Sequence, residues 1–124
     1  MANESILVVD DQPMSIKLVQ AILAGEGYTV RVAANATEAL QAVQNSVPDL
    51  ILMDIHLPGL DGLALTRLLR SNPELRHVKI VAVSAYSLTN NDERITAAGC
   101  DGFIPKPIDT RALAGSIREY LDGD

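Results

Sequence analysis

The chain has no Trp, one Phe, three Tyr and a single Cys. With aromatics at 3% and apolar residues at 48% of 124 positions, its core must be aliphatic. Cys100 alone excludes an internal disulfide and any cysteine-cluster metal site. The two histidines, His56 and His77, have no ligand partner at zinc spacing. Basic residues are few, 10 against 16 acids, for a net charge of −6. That balance argues against direct nucleic-acid binding, which needs clustered Lys and Arg. No apolar run approaches the roughly 18–20 residues of a membrane span. The start, Met1-Ala-Asn-Glu-Ser5, lacks the basic stretch of a secretory signal, so the expected compartment is the cytoplasm. The length suits one domain, 1–124.

What is present is a repeated pattern. Short runs rich in Val and Ile at Ile6–Val9, Thr29–Ala33, Leu50–Met53, Lys79–Val83 and Gly102–Ile104 read as strands. Helical spacing fills the intervals. Pro13 opens a helix that Gly25 and Gly27 end. Asn35, with Glu38 three residues on, caps a second. Gly62–Ser71 forms a third, and Thr89 or Asn90 starts a weaker fourth ending at Gly99. Asp109 is expected to cap the last, where Leu113, Ile117, Tyr120 and Leu121 share one face.

This is an α/β chain, (βα)5, with a parallel sheet covered on both faces. The first, third and fourth runs are continuously apolar, as central strands are. Thr29-Val-Arg-Val-Ala33 alternates and Gly102–Ile104 is short, as edges are. The pattern predicts the doubly wound, flavodoxin-like order 2-1-3-4-5, with a crevice outside the C-terminal ends of strands one and three.

The residues at those ends carry the chemistry. Strand one runs into Asp10-Asp11, strand three into Asp54, strand four into Ser84, and strand five is followed by Lys106-Pro107. Converging carboxylates must take up protons or bind a cation. An all-oxygen set suits Mg²⁺, which keeps several waters. A carboxylate is also a nucleophile towards phosphorus. Phosphoryl transfer then needs little beyond a metal, a cation and a donor to the transferring oxygens. Asp54, ending the central strand, is the nucleophile candidate; Asp10 and Asp11 suit the metal, and Lys106 and Ser84 the phosphoryl oxygens. The plainer reading makes each Asp a turn or cap residue, Lys106 a solvated lysine and Ser84 a buried hydroxyl. Asp10 and Asp11, being adjacent, reach one site only if the strand has ended at Asp10. Joint placement at four strand ends favours the functional reading.

The sequence closely resembles the receiver domain of two-component response regulators, from about Ser5 to Leu121. The pieces that carry this are Ile6-Leu-Val-Val-Asp-Asp11, Pro48-Asp-Leu-Ile-Leu-Met-Asp-Ile-His-Leu-Pro-Gly-Leu-Asp-Gly62, Ile80-Val-Ala-Val-Ser-Ala85 and Gly102-Phe-Ile-Pro-Lys-Pro107. The resemblance implies Mg²⁺-dependent phosphorylation of Asp54 by a histidine kinase or histidine phosphotransfer protein. It implies Asp11, Asp54 and the backbone carbonyl of His56 as direct metal ligands, with Asp10 acting through water. Ser84 and Lys106 would contact the phosphoryl group, and Lys106-Pro107 would be a cis peptide. Such a chain is no enzyme in the ordinary sense, catalysing only its own phosphotransfer and dephosphorylation.

The family's switch would draw Ser84 towards the phosphoryl group while an aromatic turns inward, changing the face of the fourth and fifth strand-helix units for a downstream protein target. The matching aromatic is Phe103, which has no hydroxyl, so a steric switch is what carries over; a plain core role stands beside it. Tyr86 and His56, each two residues past a site residue, are placed to screen the phosphoryl group from water. Pro13, Met14, Leu18 and Pro107 would form an apolar collar where a histidine-bearing helix bundle docks; alternatively Leu18 packs inward. Cys100 reads as a buried structural thiol.

Two other functions compete. A flavin carrier would need a Gly/Ser/Thr-rich loop after strand one, where this chain has Asp-Asp-Gln-Pro-Met14. A hydrolase with an aspartyl-phosphate intermediate would carry a second Asp two residues after the nucleophile, where this chain has His56. The chain reads either as a stand-alone receiver or as one cut from a hybrid kinase or larger regulator.

Overall fold

A computed structural model of the chain describes residues 4–57, 61–84, 92–106 and 108–123. Five strands, β1 (Ser5–Val9), β2 (Thr29–Ala33), β3 (Leu50–Asp54), β4 (Lys79–Ser84) and β5 (Gly102–Pro105), form one parallel sheet in the order β2-β1-β3-β4-β5. The expected order holds. Helices α1 (Pro13–Gly25), α2 (Ala36–Asn45), α3 (Gly62–Arg70), α4 (Asp92–Ala98) and α5 (Leu113–Asp122) fill the intervals.

The strands are apolar on both faces because both are covered. Ile6, Val8, Leu50, Leu52, Val81 and Val83 pack against Val19 and Leu23 of α1 and Leu113 and Ile117 of α5. The alternate residues Leu7, Val9, Ile51, Met53 and Ile80 meet Ala39 and Val43 of α2 and Leu65 and Leu69 of α3. β2 is the exception on the sheet's outer edge, as its alternation predicts. Its Arg31 reaches out to the C-terminal carbonyls of α2, donating to Ala42 O at 2.8 Å and Ser46 O at 2.6 Å. A helix end leaves its last carbonyls short of donors; Arg31 adds a second to Ala42 O, which also takes Ser46 N, and supplies one to Ser46 O.

Local signals explain most element ends. Pro13 sits in the first turn of α1, and Gly27 leaves the helix with a φ of 94°, open to glycine without a Cβ clash. Asn35 Oδ1 accepts from Glu38 N at 2.9 Å while Glu38 Oε1 accepts from Ala34 N at 2.8 Å, a reciprocal cap. Asp109 departs from expectation. It organises a turn, accepting from Arg111 N through Oδ1 at 3.0 Å, and α5 starts only at Leu113. The backbone carbonyl of Asp109, not its carboxylate, receives Leu113 N. Thr89 and Asn90, the expected caps of α4, lie outside the described residues.

Candidate functional site

β1 ends at Val9, and Asp10 N donates to Ala33 O at 3.0 Å as the strand hands over to the loop. The strand has therefore ended at Asp10, which is the condition for two adjacent aspartates to face one site. Asp54 is the last residue of β3, two strands' ends from β2 at the point where the chain reverses across the sheet. Oxygens of Asp10, Asp11 and Asp54 lie within 4.8 Å of one another. Asp10 and Asp54 are buried and Asp11 is exposed. The site is thus open to solvent on one side and floored on the other by Val8, Leu52, Val83 and Ile108.

Lys106 follows β5, and its backbone N donates to Ser84 O at 2.7 Å. That bond brings the lysine stem across the end of β4. Its Nζ then lies 3.3 Å from Asp54 Oδ2 and 3.6 Å from Asp10 Oδ2. Among the described residues one ammonium faces three carboxylates, so their charge is left uncompensated. Asp10 registers the imbalance. Its carboxyl is held above the ordinary value of 3.8, chiefly by burial, with the nearby Asp54 and Asp11 charges adding to it. The Gln12 N–H, donated to Asp10 Oδ1 at 2.9 Å, and Lys106 offset this in part. Hard oxygen donors at bridging distance with excess negative charge fit a small divalent cation that completes its shell with water.

The two oxygens of Asp54 have different surroundings. Oδ2 faces Lys106, and Oδ1 accepts the His56 N–H at 2.9 Å. The His56 ring turns the other way, with Nε2 at 3.5 Å from Ser84 Oγ. Ser84 is fully buried at the end of β4. Gly62, the first residue of α3, makes this corner fit. A Cβ there would stand 2.6 Å from Ile55 Cα and run into the Asp54 carbonyl oxygen. α3 therefore starts directly against the end of β3, and its Asp61 cap accepts Ala64 N at 2.8 Å.

All five residues read as chemistry-bearing, Asp10, Asp11, Asp54, Ser84 and Lys106, gather at this rim. Phe103 is half-buried against Ile55, Leu63, Ala82, Ile95 and Ala98 on the α4 side of the sheet. Pro13, Met14 and Leu18 point outward, Met14 being 80% and Leu18 44% exposed, so Leu18 does not pack inward. Pro107, its peptide bond and Tyr86 lie outside the described residues. Cys100 is partly buried, with Sγ 3.9 Å from Thr66 Oγ1, and burial pushes its thiol above the ordinary value, which keeps it protonated.

Sequence reasoning missed Tyr120. It was readable as a core position of α5, and it does pack there, but its hydroxyl also reaches β5. Phe103 N donates to Tyr120 Oη at 3.3 Å, and that hydroxyl lies 3.5 Å from Phe103 O. Gly102 is what allows the approach, since any Cβ at that position would collide with the Tyr120 ring. Beside this contact a groove of about 140 Å³ opens between β5 and α5, lined by Phe103, Pro105, Ala112, Leu113 and Ser116 among others.

Comparison with known proteins agrees with the geometry. The family model of the response regulator receiver domain matches residues 6–118. The polar-differentiation response regulator DivK of Brucella anthropi is 37% identical over 118 residues, covering 95% of this chain and 96% of that protein. A putative response regulator from Chloroflexus aurantiacus superposes with a TM-score of 0.92 at 29% identity, covering 98% of this chain and 99% of that one. The receiver domain of a sensor histidine kinase from Pseudomonas aeruginosa, solved with a magnesium ion coordinated in its active-site cleft, gives 0.88 at 30% identity, covering 98% and 99%.

Proposed function

The chain belongs to the response regulator receiver family, and from that membership we propose that it is a phosphoacceptor whose Asp54 takes a phosphoryl group from a histidine of a partner kinase or phosphotransfer protein. The observation that carries this reading is Asp54 itself, buried at the end of a central strand with Oδ2 at 3.3 Å from Lys106 Nζ and two further carboxylates beside it. A buried carboxylate beside an ammonium, open on one side, is placed to attack phosphorus rather than to hold a fold together.

In the proposed transfer a carboxylate oxygen of Asp54 attacks the phosphorus of a phosphohistidine. The P–O bond forms as the P–N bond breaks, and the electron pair leaves on the imidazole nitrogen, which takes a proton. Lys106 follows the phosphoryl oxygens, and the Ser84 hydroxyl donates to one of them. Asp10, Asp11, Asp54 and the backbone carbonyl of His56 would hold Mg²⁺, which offsets the charge of the phosphoryl oxygens against the acids. The donor histidine arrives on an apolar helix surface that docks on Pro13, Met14 and Leu18, exposed beside Asp11. The signal leaves through Phe103 and the face made by α4, β5 and α5, where a downstream protein reads the change. The chain turns over nothing beyond its own phosphorylation, and partners of this kind place it in the cytoplasm.

Acetyl phosphate with Mg²⁺ tests the reading. Stoichiometric labelling that is labile to hydroxylamine is expected, lost on chelation and lost in Asp54→Asn. Lys106→Ala is expected to label yet to show weaker amide shifts around Phe103. Full labelling of the Asn variant places the acceptor elsewhere, and rapid phosphate release with no label accumulating on the parent makes the protein a hydrolase. Amide shifts on residues 12–18 with a phosphodonor helix bundle report the docking surface, and their absence removes it.

A further inference from the structure

His56 touches both ends of the proposed switch. Its backbone N–H is donated to Asp54 Oδ1 at 2.9 Å, while its ring Nε2 stands 3.5 Å from the buried Ser84 Oγ. The nucleophile and the hydroxyl that must later move are thus joined through one residue. A separation of 3.5 Å is long for a bond between neutral groups. A bond from the same hydroxyl to a phosphoryl oxygen is charge-assisted and shorter. Exchange of the first for the second is favourable, and the first is one contact the hydroxyl has while it waits. Either tautomer of the ring serves, because Oγ can give its proton to Nε2 or accept one from it.

We infer that His56 is a positioning residue for Ser84: its imidazole holds the hydroxyl in the resting rotamer and is exchanged for the phosphoryl group when Asp54 is modified. This deepens the phosphoacceptor reading and rests on it for the exchange, but the resting contact stands without it. The link also has a direction. A group attached at Asp54 disturbs the carboxylate that anchors the His56 backbone, so one event loosens the anchor and offers Ser84 a better partner.

The test is a double-mutant cycle on the full chain, with beryllofluoride and Mg²⁺ in place of the phosphoryl group. The readout is the beryllofluoride concentration that half-converts the Asp54 and Ile55 amide signals, which lie at the acceptor itself. His56→Ala removes this resting contact, and it is expected to lower that concentration by about 2–5-fold, the size of one modest hydrogen bond. In a Ser84→Ala background the same substitution is expected to change nothing, and His56→Gln, which keeps a polar atom at similar reach, is expected to stay near the parent. No shift on His56→Ala, or an equal shift without the Ser84 hydroxyl, overturns the inference. A second readout needs no phosphoryl mimic. Three-bond couplings report the Ser84 χ1, whose resting rotamer is expected to lose population in His56→Ala; an unchanged population overturns the inference even where phosphorylation proceeds. A parent protein that ignores beryllofluoride sinks the phosphoacceptor reading instead, while the couplings still judge the contact.

Discussion

At the N-terminal ends of the strands, charges drawn into the structure meet partners. Arg70 of α3 donates through Nε to Gly99 O at 2.8 Å and through Nη1 to Leu75 O at 2.9 Å and Val78 O at 2.7 Å. Its Nη2 pairs with Asp101 at 2.6 Å, whose Oδ2 also takes Ile80 N at 2.9 Å. Arg118 joins Glu4 and Asp122 and lies over the Tyr28 ring. At the C-terminal ends of the same strands, three carboxylates share Lys106. One rim is built to close on itself and the other is left short of positive charge. A chain selected for stability alone has no reason to gather Asp10, Asp11 and Asp54; the shortfall is what a divalent cation would make good.

The comparison predicts opposite signs for mutations at the two rims. The largest effect belongs to Arg70→Ala. It strips a donor from four carbonyls, those of Leu75, Arg76, Val78 and Gly99, and leaves the Asp101 carboxylate with the Ile80 N–H; such losses of charged hydrogen bonds cost about 2–3 kcal/mol. A fall of that size in the urea unfolding free energy, followed by circular dichroism because Trp is absent, is expected. A loss below about 0.5 kcal/mol, the range of ordinary surface substitutions, would show that this rim is solvated rather than clasped.

Asp10→Asn probes the other rim and should stabilise the metal-free protein. Burial raises the Asp10 carboxyl above 3.8, so the folded state binds this proton more tightly than the unfolded chain does. The contribution of Asp10 is therefore most favourable below the ordinary value and is lost as pH rises through the raised one. The Asn variant, neutral throughout and still able to accept Gln12 N, should exceed the parent in urea midpoint at about pH 7 and converge with it towards about pH 3–4. Its Mg²⁺ affinity should fall at the same time. A destabilised variant at neutral pH would mean that Lys106 already satisfies the site.

How much of this contrast could be read beforehand depended on distance along the chain. Strand order followed from local pattern, the unbroken Leu50-Ile-Leu-Met53 against the alternation around Arg31. The acid rim followed because sheet topology turns strand ends into neighbours, so that Asp10 and Asp54 meet without any detail of packing. The clasped rim was not legible. Arg70 meets Gly99 across 29 residues and Arg118 meets Glu4 across 114, and no periodicity encodes which arginine a carbonyl will find. The Tyr120 hydroxyl and the His56 ring were hidden for the same reason, each a side-chain direction fixed by tertiary contact. Asp109 misled because an Asp before a helix caps or makes a turn with equal ease.

Arg118→Ala should give the smallest effect and the cleanest separation within the closed rim. The Arg118 and Glu4 side chains are 38% and 30% exposed, and Asp122 is 66% exposed, so water and salt screen the group. Its charge is reinforced by hydrogen bonds to Glu4 and then Asp122, which raise its pKa from a value already high. Stability from a base shifted this way is complete below its unfolded pKa and is lost only as pH rises through the folded one, far above the neutral range. Between neutral and mildly alkaline pH the cost of Arg118→Ala should thus be flat, and what changes it is ionic strength. At 1 M salt the Debye length falls to about 3 Å, which should remove much of the Arg118 contribution. Arg70, 19% exposed and bonded mainly to carbonyls, should keep most of its own. Equal salt sensitivity of the two variants would show that Arg70 is held by its ion pair rather than by the backbone it threads together.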